Sequence, residues 1–359
     1  MKARGVRRLG RLVDGDPTEV GQYRLVGRIG SGGMGVVYAG TVDGVNGYLA
    51  IKVIHAEHAA RAEFRRNFAH EARLLARVNS PCVARFVQAD VEADPPWLAT
   101  EYVPGPTVRH HVERHGPLRG GMLVGLAVGA ADALRAIHAA GIVHRDLKPS
   151  NVVISPTGPK VLDFGIARPT GGEDPTRWRR VRRLRRALQT LGSAPQPDVS
   201  GTDDSAQPVR DRVGTPGWIS PEQYRGLPAT DRSDIFLWGC LVAFAAAAHD
   251  PFGHGHPKEM ARRVVTEAPD LAGLTPAMEK LVLAAMAKNP ADRPDSGVLL
   301  DRALALAAGD SVDDPPRPTS AQRAVAVRGL LKKTWTDVAV KLPQPARSWG
   351  GILGPKSEM

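Results

Sequence analysis

Cysteine is scarce. Cys82 and Cys240 are the only two in 359 residues. They cannot staple a secreted scaffold and have no ligand-like spacing, so a reducing, cytoplasmic setting is expected. Long hydrophobic runs are lacking as well: no stretch of 18 uncharged apolar residues occurs, and no membrane span is expected. The start, Met1-Lys2-Ala3-Arg4, is basic like the head of a signal peptide. Arg7, Arg8, Arg11 and Asp14 interrupt the apolar run that should follow, so residues 1–20 read as a basic leader. No internal repeat is visible. Aromatic residues make up only 5%, but 42% apolar and 24% charged residues are ordinary globular values and exclude wholesale disorder. The length suits two lobes or two modest domains at ~100–200 residues each.

The basic excess is concentrated. The formal net charge is +11, and the segment 177–186 (RWRRVRRLRR) carries seven arginines and no acid. A pI near 10 would point to nucleic acid if the basicity were spread over a domain. Its confinement to one short segment argues against nucleic acid as a partner.

From Tyr23 the chain turns strand-like, in short β-rich runs punctuated by glycine that suggest an antiparallel sheet. Residues 61–78 switch to a 3.6-residue period, with Phe64, Phe68, Leu75 and Val78 as inward candidates. Two more strands are expected near 83–89 and 97–103. Beyond Gly105-Pro106 the pattern is helical, with one long apolar helix at 118–140 stopped by Gly141. Further helices are expected at 230–248, 257–266, 276–287 and 294–308. The fold class is therefore α+β, with a β-rich small lobe (21–103) and a larger α-rich lobe (104–308), followed by a basic polar tail (309–359) that is either plain or forms a short amphipathic helix around Leu330-Leu331-Lys332-Lys333-Thr334-Trp335.

Several residues carry chemistry. Ile29-Gly30-Ser31-Gly32-Gly33-Met34-Gly35-Val36-Val37 is a glycine-rich turn, either a plain hairpin or a loop whose N–H groups approach phosphate oxygens. A strand rather than a helix follows it, against a dinucleotide fold. Ala50-Ile51-Lys52 places a lysine inside an apolar strand, which is costly unless the ammonium is paired. It is either a strand-edge lysine or the partner of Glu71 on the next helix. His144-Arg145-Asp146-Leu147-Lys148-Pro149-Ser150-Asn151 follows the long helix. In it Asp146 can accept a hydroxyl proton, Lys148 can meet a phosphoryl group, and Asn151 offers an amide oxygen. With Asp163 of Asp163-Phe164-Gly165, Asn151 makes a hard-oxygen set of the kind Mg²⁺ prefers.

Taken in order, these motifs resemble the eukaryotic-like protein kinase family, specifically bacterial Ser/Thr protein kinases, over roughly Tyr23 to Leu306. The resemblance implies a bilobal fold and transfer of the ATP γ-phosphoryl group to Ser/Thr hydroxyls of protein substrates, with Mg²⁺ or Mn²⁺. It implies that Lys52, paired with Glu71, contacts the α/β-phosphates, that Asp146 is the base, and that Asn151 and Asp163 hold the metal. Lys148 after Leu147 marks Ser/Thr specificity. The backbone of Glu101 and Val103 meets adenine between Ile29, Val37, Ala50, Thr100 and Val153, under the loop of Gly30, Ser31, Gly32, Gly33 and Gly35. Glu222 of Ser220-Pro221-Glu222 is expected to pair with Arg293, and Asp234 to hold the catalytic-loop backbone. Arg145 suits docking of an activation-loop phosphate. A nucleotide-binding scaffold without turnover is the rival reading, and a homodimer through the small lobe stays open.

The stretch from Asp163 to Glu222 is unusually long for that family. Its insert, 169–213, contains Trp178, Val181, Leu184, Leu188 and Leu191 at spacings of 3, 3, 4 and 3, a helical stripe opposite the arginines. A solvated insert, a regulatory helix, and contact of 177–186 with an anionic surface remain alternatives. Candidate phosphate acceptors are Thr170, Thr176, Thr190, Ser193, Ser200, Thr202 and Ser205.

Overall fold

The computed structural model describes residues 9–44, 46–162, 217–335 and 338. Its first part is a six-stranded antiparallel sheet. The strands are β1 (Glu19–Val20), β2 (Tyr23–Gly32), β3 (Gly35–Thr41), β4 (Leu49–Ile54), β5 (Phe86–Asp90) and β6 (Trp97–Glu101), in the order β1-β2-β3-β4-β6-β5. Register decides which side chains meet. Lys52 stands opposite Val37 and Leu98, and Ala50 opposite Ala39 and Thr100. Strand alternation then gathers Val37, Ala50, Lys52, Leu98 and Thr100 on one face. Tyr38, Ile51, Val53, Trp97 and Ala99 take the other, where they join Tyr23 and Leu25 in a small core.

Two helices follow β4: the short α1 (Ala56–Ala59) and α2 (Ala62–Leu75). Phe68, Ala72 and Leu75 of α2 are buried, and Phe68 and Leu75 share the main core with Ile54 and Leu98. Helix α2 therefore packs toward the face that carries Lys52. Phe64 and Val78, also expected inward, pack against this core half-buried.

The opposite face of the sheet is covered by residues that the sequence reading assigned to a polar leader. Leu9 is buried, Gly10 pairs with Arg28, and Leu12 and Val20 pack on the small core. A polar clasp secures the strap. The Asp16 carboxylate accepts from the Arg28 guanidinium at 2.6 and 2.5 Å and from the Tyr38 hydroxyl at 2.7 Å. The Arg28 guanidinium holds the Asp16 carboxyl well below the usual carboxylate range. Burial, followed by the bond to Asp16, pushes the Tyr38 phenol up to about 12. The boundary expected at residue 21 is thus corrected: the folded small lobe already includes Leu9.

The large lobe contains α3 (Val108–His115), α4 (Gly120–Ala139), the hairpin β7–β8 (Val152–Ser155, Gly158–Val161) and α5 (Pro221–Tyr224). It continues with α6 (Asp231–Ala247), α7 (Pro257–Thr266), α8 (Pro276–Ala285), α9 (Ser296–Ala308) and α10 (Ser320–Thr334). Thr107, Thr275 and Asp295 cap α3, α8 and α9 by accepting from a first-turn N–H. Gly141, at φ 79°, stops α4 as its position suggests. By length and composition α4 could cross a membrane, but 72% of its apolar window is buried. It is the central helix of the lobe, packed against α6, α9, α10 and β8.

At the other end, the amphipathic helix weighed for the tail is present and starts earlier, as α10, capped by a reciprocal Thr319–Gln322 box. It lies along α4 with Val327, Leu331 and Trp335 buried. The packed structure therefore runs past residue 308. The insert 169–213, with its arginine-rich stripe and candidate phosphate acceptors, lies outside the described residues.

Candidate active site

The cleft is built where the connector between the lobes crosses β7. Thr107 pairs with Val153, and Ile154 N donates to Pro106 O at 2.9 Å. Gly105 makes this approach feasible: at φ 144°, an added Cβ would lie 2.2 Å from the Ile154 carbonyl oxygen. Val153 is thereby fixed at the floor next to the connector. Ile29, Val37, Ala50 and Thr100 are half-buried, and the last three share the sheet face that carries Lys52. Lys160 of β8 ties the Glu101 carboxylate at 3.2 and 3.1 Å, so the connector and the hairpin are joined by charge as well.

The glycine loop divides into two kinds of position. A Cβ at Gly30, Gly32 or Gly33 would meet nothing within 4 Å, which leaves room above the turn. At Gly35 it would lie 2.1 Å from Val53 O. Gly35 is a packing requirement of the β3–β4 pair; the open glycines are the ones suited to a phosphate.

The loop between α4 and β7 holds Asp146 in a dense set of contacts. Lys148 Nζ lies 3.2 Å from Asp146 Oδ1 and 3.0 Å from Oδ2. Asn151 Nδ2 donates to Asp146 O at 2.9 Å and to Oδ2 at 3.0 Å. With the amide nitrogen spent on Asp146, the amide oxygen Oδ1 is the ligand atom Asn151 can offer. A carboxamide oxygen near a carboxylate is the donor chemistry Mg²⁺ favours. The loop itself is strained. Arg145 has φ 62°, a left-handed conformation that costs ~1–3 kcal/mol for a non-glycine residue.

Buried Asp234 at the start of α6 holds that strain in place. It accepts from His144 N at 2.7 Å, Arg145 N at 2.8 Å and His138 Nε2 at 2.8 Å. His144 closes the other side: its Nδ1 accepts from Asp146 N at 3.3 Å, so Nε2 carries the proton it donates to Leu162 O at 3.1 Å. Leu162 N in turn donates to Asn151 O at 2.8 Å. The residue before Asp163 is therefore locked to the catalytic loop; Asp163 itself lies outside the described residues.

Comparison with known proteins identifies the family. The protein kinase domain family matches residues 23–303. The chain is a member of that family. It is 38% identical to the probable serine/threonine-protein kinase PkwA of Thermomonospora curvata, over 94% of this chain and 41% of that protein. It is 36% identical to the serine/threonine-protein kinase AfsK of Streptomyces coelicolor, over 84% of this chain and 34% of that protein. The chain thus spans well under half the length of these relatives. Its fold is similar to the crystal structure of the Mycobacterium tuberculosis PknI kinase domain, with TM-score 0.55 and 24% identity, covering 81% of this chain and 97% of that one.

In this kinase domain the expected Glu222–Arg293 pair is present. Arg293 donates to both Glu222 oxygens at 2.8 Å, and Ser233 Oγ adds a bond at 2.6 Å. Burial works to raise the Glu222 carboxyl, but Arg293 and Ser233 outweigh it and the net shift is downward. Trp218 is buried, edge-on to Phe244 at 6.1 Å, with Arg109 over both rings. This residue anchors the segment before α5 to α6. Lys52 and Glu71 are half-buried on elements of one lobe. Sequence reasoning missed His138 and the role of His144. The signal for His138 was a histidine in the last turn of an otherwise apolar helix.

Proposed function

We propose that the kinase domain transfers the γ-phosphoryl group of ATP to serine or threonine hydroxyls of protein substrates. The supporting observation is the joint placement of Lys148 and Asn151 on the Asp146 carboxylate. Asp146 accepts the proton of the attacking hydroxyl as its new bond to the γ-phosphorus forms and the bond from that phosphorus to the departing ADP breaks. Lys148, held at that carboxylate, neutralises charge on the transferring group. Lys52, paired with Glu71, holds the α/β-phosphates under Gly30, Ser31, Gly32 and Gly33. Adenine lies between Ile29, Val37, Ala50, Thr100 and Val153, against the backbone of Glu101 and Val103. Asn151 and Asp163 would hold Mg²⁺ (or Mn²⁺), which would supply positive charge to offset that of the phosphates.

Arg145, next to the base, suits capture of an activation-loop phosphate, which makes autophosphorylation the natural control. We place the enzyme in the reducing cytoplasm. Burial pushes the thiols of Cys82 and Cys240 well up, which leaves both unreactive. A purified-protein assay with radiolabelled ATP tests the reading. Asp146→Asn should lower incorporation by roughly 10²–10⁴-fold, Lys52→Met should abolish it, and the label should appear on phosphoserine or phosphothreonine. Incorporation at the wild-type rate by both variants would overturn the assignment.

A further inference from the structure

Helix α10 ends in a tryptophan whose position ordinary tail packing does not require. Trp335 is 5% exposed, and its Nε1–H donates to the carbonyl of Ser155 at 2.6 Å. Ser155 is the last residue of β7, and its own hydroxyl closes the turn on Gly158 O at 2.7 Å. Leu331, one helical turn before Trp335, covers the same turn: a Cβ on Gly158 would come within 3.0 Å of its Cδ1. Helix α4 is shaped to admit this cap. A Cβ at Gly121 would lie 3.1 Å from Thr334 Cβ, and one at Gly125 would lie 3.0 Å from the Trp335 ring. At its other end α10 is fastened to α9 by Arg323, which donates to both Asp301 oxygens at 2.7 Å.

The hairpin that Trp335 holds is the one that carries the site. Asn151 immediately precedes β7, Val153 lies within it, and Leu162 follows β8. At four residues per strand the hairpin is only ~13 Å long, short enough for a shift at its turn to reach its base. His144 and Asn151 fix the base end and Trp335 the turn end. We propose that Trp335 is a positioning residue for the Mg²⁺-nucleotide site. By anchoring the Ser155 carbonyl, it sets the height at which Val153 and Asn151 meet the nucleotide and its metal. This rests on the nucleotide site described above, but not on turnover.

The test is binding of a fluorescent ATP analogue with Mg²⁺ to the full chain, alongside hydrogen exchange of the amides of residues 152–162. Trp335→Phe keeps a ring but loses the donor. It should weaken Mg²⁺-nucleotide binding by roughly three- to tenfold, the scale of one hydrogen bond, and speed exchange in the hairpin. Arg323→Gln loosens α10 at its far end and should leave nucleotide affinity at the wild-type value. Wild-type affinity in Trp335→Phe, or equal losses in both variants, overturns the proposal. If Trp335→Phe does not fold, Leu331→Ala opens the same turn and is judged by the same two outcomes. A wild-type chain that binds the nucleotide but transfers no phosphate sinks the kinase reading and leaves this one standing.

Discussion

Both ends of the described chain fold back onto the kinase domain, with charge and apolar burial in different proportions. The N-terminal strap covers the outer face of the small-lobe sheet and is fastened by charge, through Asp16, Arg28 and Tyr38. The C-terminal helix covers α4 and the β7–β8 turn and is fastened by apolar burial, through Val327, Leu331 and Trp335. The difference follows from what each lobe offers. The small sheet has a thin core, so a strap on it gains little from apolar burial, and the buried Asp16 carboxylate is held by the bonds from Arg28 and Tyr38. The large lobe presents a stripe of glycines on a buried helix, a shape that only an apolar partner fills well.

That contrast can be broken most directly at Trp335. Trp335→Ala removes a large buried ring and should destabilise the large lobe by about 3–5 kcal/mol, read as a lower midpoint in urea unfolding. A loss below ~1 kcal/mol would show that the helix is merely laid on the surface. The next effect sharpens the comparison within the small lobe. Gly35→Ala drives a Cβ against Val53 O and should cost about 1–3 kcal/mol. Gly32→Ala enters open space and should leave the melting temperature unchanged while raising KM for ATP. At the clasp the loss of stability should be smaller than at Trp335 or Gly35, because the Arg28 side chain is 31% exposed and solvent screens it.

The clasp has a pH signature. Asp16 titrates lower in the folded chain than in the unfolded one, so its contribution is fully present above the unfolded carboxylate value of ~3.9. It is lost as pH falls through the lower folded value. Wild type and Asp16→Asn should therefore differ in melting temperature near neutrality and converge on acidification below about pH 4. A gap that stays constant down to pH 2 would mean that Asp16 acts through shape alone.

Most of the large lobe was legible because its signals are local. The span 118–140 with its glycine stop gave α4 within two residues, and Asp234 and Arg293 were named for the contacts they make. The N-terminal strap was not legible, because its partner is remote. Leu9, Leu12 and Val20 follow no period, and what buries them is the far face of a sheet defined only by register. Helix α10 was legible at Leu330–Trp335 as an amphipathic segment, but its start at Ser320 and its docking on α4 were not, because interleaved lysines and arginines obscure the stripe. The glycines were the subtlest case. Sequence treats Gly30, Gly32 and Gly35 alike, and only the nearness of Val53 separates packing from access.

The small residues along α4 carry a consequence for anyone engineering this kinase domain. Replacing glycine by alanine inside a helix ordinarily gains ~0.5–1 kcal/mol, and a consensus approach to thermostability would begin with Gly121, Gly125 and Gly129. Here a methyl group at Gly129 would sit 2.4 Å from the Pro159 ring. The substitutions that look safest on paper would pry the lobe apart along its central axis.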